Sequence, residues 1–336
     1  MKFVFQITIK KMKAAVLHQL GSAPRYEDFP DPKPANDEEL LLTIKAASIK
    51  NLDRGRASGQ HYASHTNLPE VVGMDGVGLL QDGTRVYATG ITGMIAEKAL
   101  TSAHRYIPVP NGVDDATAAA LPNAVLGSAV ALRYKAQLQP GQTILINGAT
   151  GVTGKVAIQI AKHYGASYII ATGRNPKQLA KLSALGANEV ISLKQDDKDL
   201  LAQLKTINEQ HPIDVVLDYT WGKPIKLIIQ SLKGGGMHHI SRKVRIVTVG
   251  SMAGEDISLS SGTLRSSAIE LLGSGIGSIL PEEMHEYRVS ILPEMFQLAA
   301  DGKLNIDTDT VLLKDVEQAW LTHNNPGSRL VVMMHN

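Results

Sequence analysis

Residues 143–165 read Thr-Ile-Leu-Ile-Asn-Gly-Ala-Thr-Gly-Val-Thr-Gly-Lys-Val-Ala-Ile-Gln-Ile-Ala-Lys-His-Tyr-Gly. A strand-like run from Thr143 to Ile146 ends at three glycines, Gly148, Gly151 and Gly154. Val152, Val156, Ala157, Ile160 and Ala161 then recur at helical spacing. Strand, glycine turn and helix, in that order, form a site for a dinucleotide pyrophosphate. Glycines let backbone N–H groups approach the phosphates, and the helix N-terminus adds partial positive charge. The expected cradle is Gly148, Ala149, Thr150, Gly151, Val152, Thr153 and Gly154, with Gly154 allowing close helix–strand packing. An ordinary turn and helix start is the alternative that a glycine pattern alone leaves open.

The next apolar run, Tyr168 to Ala171, ends at Thr172-Gly173-Arg174-Asn175. Arg174 lies about 20 residues beyond the third glycine, where an acidic residue would hold the ribose 2′-hydroxyl of NAD. No Asp or Glu occurs from Ala171 to Leu179, whereas Arg174 and Lys177 do. A basic pair there suits a 2′-phosphate, so the expected cofactor is NADPH. The alternative is a pair of solvated loop charges.

Beyond this unit, strands are expected near 143–147, 167–171, 189–192, 213–218, 244–249 and 269–273. Helices are expected near 152–164, 176–185, 197–209 and 223–232. Such alternation implies an α/β fold with a doubly wound parallel sheet. Asn175-Pro176 is a good helix start, with Asn as N-cap and Pro at the first helical position. Residues 12–110 instead alternate short apolar runs with Gly, Pro, Asp and Asn, which suggests a mostly β domain. A helix around 315–324 and a strand over 330–334 close the chain. That terminal piece is too small to fold alone and is expected to rejoin the β domain.

The chain has 336 residues, enough for two domains with substantial cores. Its net charge of +2 demands neither a nucleic-acid nor a membrane partner, and no basic run interleaved with aromatics is present. It contains no cysteine, which excludes disulfides and thiolate metal sites and fits a reducing, cytoplasmic compartment. No apolar run is expected to approach the roughly 20 residues that span a bilayer. Residues 1–11 lack the long apolar core of a signal peptide and read as an alternative start or an extra strand.

Several motifs in order resemble the medium-chain dehydrogenase/reductase superfamily, in its zinc-independent quinone oxidoreductase branch. They are Met12-Lys13-Ala14, Asp53 with Gly59-Gln60-His61-Tyr62, Leu68-Pro69-Glu70-Val71-Val72-Gly73-Met74-Asp75-Gly76-Val77-Gly78, and Ala119-Ala120-Leu121-Pro122. The glycine turn and Leu185-Gly186-Ala187-Asn188-Glu189-Val190-Ile191 complete the set. The resemblance covers nearly the whole chain after Met12. It implies a GroES-like β-rich catalytic domain (12–122 and 275–336) and an inserted Rossmann NADP-binding domain (123–274). It also implies a cleft active site and a homodimer built on an edge strand.

Zinc-dependent relatives hold catalytic zinc with a Cys in Cys-x-x-Asp and a His in Gly-His-Glu. Here Lys50-Asn51-Leu52-Asp53 and Gly73-Met74-Asp75 put lysine and methionine at the first two ligand positions, so no metal is expected. His61 and His65 have i, i+4 spacing, which fits a metal pair only on a helix and otherwise two surface loop histidines. His238-His239 reads as surface loop.

Without a Lewis acid, a quinone or an activated enone is a more suitable hydride acceptor than a simple ketone. The developing charge spreads into an enolate or hydroquinone anion, and hydrogen-bond donors suffice. Lys50 is the expected donor, supported by Asn51, and the alternative for Lys50 is a solvent-facing lysine. Tyr62 is the second donor or a packed loop aromatic. Asp53 is expected to fix a turn. Ser128 matches a family threonine near the nicotinamide, and Gly250-Ser251 lies where the family places backbone against the cofactor; both are also simple element ends. Tyr219 lines the substrate site or packs against Trp221. The expected activity is NADPH-dependent reduction of a quinone or enone. An alkenal or enoyl C=C reductase and a non-catalytic NADPH-binding protein stand as alternatives.

Overall fold

A computed structural model describes residues 10–61, 63–233 and 242–335. Tyr62, His238 and His239 lie outside the described residues. The chain divides into two compact units: one runs to Pro122 and resumes at Phe296, and the other is Asn123–Met295.

The first unit opens with strands β1 (Lys11–Leu17), β2 (Arg25–Pro30) and β3 (Glu39–Ile49), then helix α1 (Asn51–Ser58). Strands β4 (Glu70–Val71), β5 (Asp75–Leu79), β6 (Arg85–Gly90) and β7 (Lys98–Pro108) follow, and α2 (Asp115–Val125) leads out. A small antiparallel sheet has the order β2-β1-β4. In the larger sheet β3, β5, β6 and β7 are neighbours in turn, and β7 pairs back on β3. That closure gives β5, β6 and β7 a neighbour on each side.

Residues 126–135 continue α2 as a π-wound stretch. The second unit then alternates β8 (Thr143–Asn147), α3 (Val152–His163), β9 (Tyr168–Gly173), α4 (Pro176–Leu179), α5 (Leu182–Leu185) and β10 (Glu189–Ser192). It continues with α6 (Asp197–Gln210), β11 (Val215–Asp218), α7 (Gly222–Ser231), β12 (Val244–Thr248) and β13 (Ile269–Gly273). The sheet order is β10-β9-β8-β11-β12-β13, and every pair is parallel. The chain leaves β8 toward β10 and returns on its other side at β11. Ligands bind beyond the carboxyl ends of strands at such a reversal. The α/β fold class read from the alternating pattern is the one observed.

Two details differ from the sequence reading. The helix expected over 176–185 is two short helices broken at Ala180–Lys181, the first capped by the Asn175 side chain accepting from the Gln178 N–H. Residues 276–295 also stay with the second unit. Lys135–Glu283 (3.2 Å) and Arg133–Glu286 (3.7 Å) ion pairs and a His163 Nε2–Glu294 Oε1 contact (2.7 Å) join them to it.

After Met295 the chain adds β14 (Thr308–Leu312) and β15 (Arg329–Met333) to the first unit. Strand β15 pairs antiparallel with the end of β3, Leu330 opposite Ile49. Helix Val316–Thr322 buries Val316 and Trp320 in the same core as Leu42, Ile44 and Ile95. The 21-residue helical stretch Asp115–Lys135 is long and apolar enough to cross a membrane by length and composition, and most of it is buried within the protein as a core helix is. Polar Asn123, Ser128 and Arg133 interrupt it in the sequence.

Leu145 is fully buried in the cluster formed by Ile170, Val216 and Ile225. Leu145→Ala is expected to lower stability by about 2–5 kcal/mol, read from urea denaturation. A change well below 1 kcal/mol would contradict the packing.

Candidate functional site

In the second unit, Gly148 leaves the end of β8 with φ +84°, a conformation that favours glycine. The Ala149 N–H donates to Thr172 O (2.8 Å), and the Gly151 N–H donates to Gly148 O (3.1 Å). Gly151 is the N-cap of α3, with no side chain capping the helix. The first-turn N–H groups of Val152, Thr153 and Gly154 therefore lack intrahelical acceptors, as at any helix start.

The glycines divide into two kinds. A Cβ on Gly154 would lie 2.6 Å from Ala149 Cα and Gly148 O, so α3 packs on the strand end only because that Cβ is missing. A Cβ on Gly151 would meet nothing nearer than Gly148 O at 3.5 Å. The protein leaves open the space in front of Gly151, and an uncapped helix N-terminus borders it. These residues fit a dinucleotide pyrophosphate.

A buried network missed by the sequence reading ties the carboxyl ends of three strands together. Thr172 Oγ1 on β9 donates to Asn147 Oδ1 on β8 (2.6 Å). Asn147 Nδ2 donates to Asp218 Oδ1 on β11 (2.8 Å) and to Thr220 Oγ1 (2.7 Å). Asp218 also accepts from the Thr220 and Trp221 N–H groups. Burial pushes the Asp218 carboxyl above the usual range, and the bonds from Thr220, Asn147 and Trp221 act in the opposite sense. The sequence signal was present: Asn and Asp each end an otherwise apolar strand.

Arg174 and Lys177 are both exposed, and neither has a carboxylate partner among the described residues. A Cβ on Gly173, the residue before Arg174, would fall 2.3 Å from Thr150 Cγ2, so this loop packs directly on the glycine turn. Lys155, unremarked in the sequence, is buried on α3 and reaches Gln178 Oε1 at 3.3 Å, next to Lys177. Three cations thus stand around one loop.

Other expected contacts are placed differently. Ser128 is completely buried and donates its hydroxyl to Ala124 O, a helix-internal bond, so it does not present that group to a ligand. Tyr219 donates its hydroxyl to Gly127 O (3.0 Å), and burial followed by the Asp218 charge pushes that hydroxyl well above the usual tyrosine range. It acts as a neutral tie between β11 and the π-wound stretch rather than as a donor to substrate. Gly250 lies against the same segment, where a Cβ would be 2.8 Å from Tyr219 O, and Ser251 bonds Glu255.

In the first unit, Lys50 is 1% exposed, so it is neither a solvent-facing lysine nor an open donor. Its Nζ contacts Asp75 Oδ1 (2.8 Å), Asp53 Oδ2 (3.0 Å), Ser48 O (3.0 Å) and Ser48 Oγ (3.3 Å). Its three N–H donors are engaged inside the protein, which corrects the expected bond to a developing oxyanion. Burial opposes the charge, but Asp53 and Asp75 more than offset it and hold the lysine above its ordinary pKa. Asp53 fixes the turn as expected: Oδ2 accepts from the Lys50 N–H (2.9 Å) and Oδ1 from the Met74 N–H (3.1 Å). Asn51, the first residue of α1, is exposed.

His65 is buried, with Nδ1 2.8 Å from Glu70 Oε2, and so is not a surface loop residue. His61 Nδ1 accepts from the Ala63 N–H. Among the described residues no cluster of His, Asp and Glu is arranged to hold a metal ion.

Residues 152–292 match the family model described as zinc-binding dehydrogenase. The chain is 25% identical to the probable NADPH-dependent quinone reductase tdiC of Emericella nidulans, over 96% of this chain and 100% of that one. It is 32% identical to the chloroplastic NADPH-dependent alkenal/one oxidoreductase of Arabidopsis thaliana, over 57% of this chain and 55% of that one. The structure of a mycobacterial quinone oxidoreductase is similar in fold, with a TM-score of 0.82 at 18% identity, covering 96% of this chain and 99% of that one. The residues around Lys50 do not fit the zinc of the matching model's description. An ammonium stands among the oxygens, the chain has no cysteine, and zinc–oxygen bonds of roughly 2.0–2.2 Å are far shorter than the spacing at Nζ.

Gly151→Val is expected to keep the thermal stability of the parent and abolish nucleotide binding. Gly154→Val is expected to lower the melting temperature as well, because it strikes backbone. Thermal melts beside equilibrium binding of NADPH separate the two, and intact binding in Gly151→Val would contradict the assigned cradle.

Proposed function

We propose that this chain is a medium-chain dehydrogenase/reductase of the quinone oxidoreductase-like branch and that it uses NADPH to reduce a quinone or an activated enone without a metal. Relatives named as quinone reductase and alkenal/one oxidoreductase support an oxidoreductase; the cofactor and substrate class are our reading. One observation carries the cofactor choice. Arg174 and Lys177, exposed and without carboxylate partners among the described residues, follow directly on the strand that packs against the glycine turn.

When bound, the nicotinamide supplies the hydride. The protein's part is to bind, orient and donate. The N–H groups at the start of α3 hold the pyrophosphate beside Gly151. Arg174 and Lys177, with Lys155 behind them, hold the 2′-phosphate by charge-assisted hydrogen bonds. Asn147, Asp218 and Thr172 fix the strand ends on which this cradle rests. With the donors of Lys50 engaged internally, donation to the substrate oxygen falls to Asn51 and Tyr62. Charge that spreads over a conjugated acceptor needs no more than such neutral donors.

The relatives' names include both a quinone reductase and an alkenal/one oxidoreductase, which supports the class and leaves both acceptors within it. Pairing of two copies is part of the same reading: β13 is the edge of its sheet, and Leu271 on it is exposed.

Oxidation of NADPH and NADH is followed at 340 nm with chelator-treated protein and a panel of quinones and enals. Turnover with NADPH preferred is the expected result, and it ranks the two acceptor classes. NADPH binding without turnover on any acceptor would instead support a nucleotide-binding protein that has lost catalysis. Arg174→Ala should weaken NADPH at least tenfold with little effect on NADH. Equal loss for both would remove the 2′-phosphate assignment.

A further inference from the structure

Lys50 Nζ has four oxygens within 3.3 Å, one more than it has N–H groups. Two are carboxylate oxygens, one is a backbone carbonyl and one a hydroxyl. Ser48 and Lys50 are essentially inaccessible, as is Asp53, and Asp75 is 8% exposed. Arg329 is buried close enough for the charges of Asp53 and Asp75 to act on it. Asp53 and Asp75 both lie within 3.0 Å of the Lys50 ammonium, away from solvent. A carboxylate taken out of water without a partner is strongly unfavourable, so this set of oxygens requires a positive charge among them.

Geometry limits what that charge can be. The four oxygens stand 2.8–3.3 Å from Nζ. Calcium takes oxygens at about 2.3–2.6 Å and magnesium at about 2.0–2.1 Å. The spacing suits a large monovalent ion or an ammonium that donates hydrogen bonds.

We infer that Ser48, Asp53 and Asp75 form an internal monovalent-cation site whose resident ion is the protein's own Lys50 ammonium. The ion is tethered, so it neither exchanges nor leaves room for a metal. Lys50 is then a positioning residue. By neutralising Asp53, in the first turn of α1, it keeps that carboxylate accepting from the Met74 N–H and from the Lys50 N–H at the N-cap, next to Asn51. The inference concerns the first unit alone and does not depend on NADPH or on the nature of the acceptor.

Lys50→Ala removes the tethered ion and leaves its oxygens. What is missing is, in size, a propylammonium ion. The variant's melting temperature is measured against propylammonium, ammonium, potassium and tetramethylammonium chlorides at constant ionic strength, beside the parent protein. A ligand that binds only the folded state raises the melting temperature in a saturable way. The expected result is a saturable rise of several degrees for the variant with propylammonium and ammonium. No rise is expected with tetramethylammonium, which has no N–H, nor in the parent with any of the salts. A variant that responds equally to all four cations, or to none, overturns the inference. So does tight uptake of one manganese ion per chain after dialysis, which would make the site divalent.

Should Lys50→Ala not fold, Lys50→Met alone is compared with Lys50→Met/Asp75→Asn. If the oxygens demand a cation, removing one carboxylate charge makes the double variant melt higher than the single. An equal or lower melting temperature for the double variant overturns the inference.

Discussion

Helix α3 meets the end of β8 at a distance that no side chain permits. The missing Cβ of Gly154 brings the first turn of the helix against Ala149 and Gly148, and this contact aims the helix N-terminus at the strand's carboxyl end. Much of the second unit is arranged around that junction. Thr150 packs on Gly173, which sets the direction of the Arg174 loop. The network from Thr172 through Asn147 to Asp218 locks three neighbouring strand ends in one plane. A buried polar network is stabilising only when its members are satisfied, and here the Thr172, Asn147 and Thr220 donors all find acceptors within it. The result is a ledge with uncapped N–H groups on one side and, beside it, Arg174 and Lys177, exposed and without carboxylate partners among the described residues.

The first unit solves a different problem. Its closed strands bury Lys50 and Asp53, a position where charge is unfavourable unless it is paired and hydrogen-bonded. Pairing is complete: the lysine's N–H groups and the two carboxylates satisfy one another.

The sequence made the α/β unit legible because its signals are local. Strand, glycine turn and helix follow one another within 23 residues, and parallel strands buried on both faces read as apolar runs. The basic pair at Arg174 and Lys177 was legible for the same reason. The roles of Lys50, Ser128, Tyr219 and His65 were not. Each is decided by a partner that spacing does not reveal: Asp75 for Lys50, Gly127 O for Tyr219, Glu70 for His65. Ser128 has a local partner, Ala124 O, but the π-wound stretch that buries it carries no clear sequence mark. The limit of the second unit was placed too early, because residues 276–295 contact Arg133, Lys135 and His163 through Glu286, Glu283 and Glu294.

The central claim is that the ledge beside α3 recognises a 2′-phosphorylated adenosine half. Calorimetric titration with adenosine 2′,5′-bisphosphate and with adenosine 5′-monophosphate tests it without a nicotinamide or a substrate. The account predicts that the bisphosphate binds at least tenfold more tightly at low salt, and that added salt narrows the gap as the exposed cations are screened. Equal affinity for the two nucleotides, or no binding of either, would contradict it.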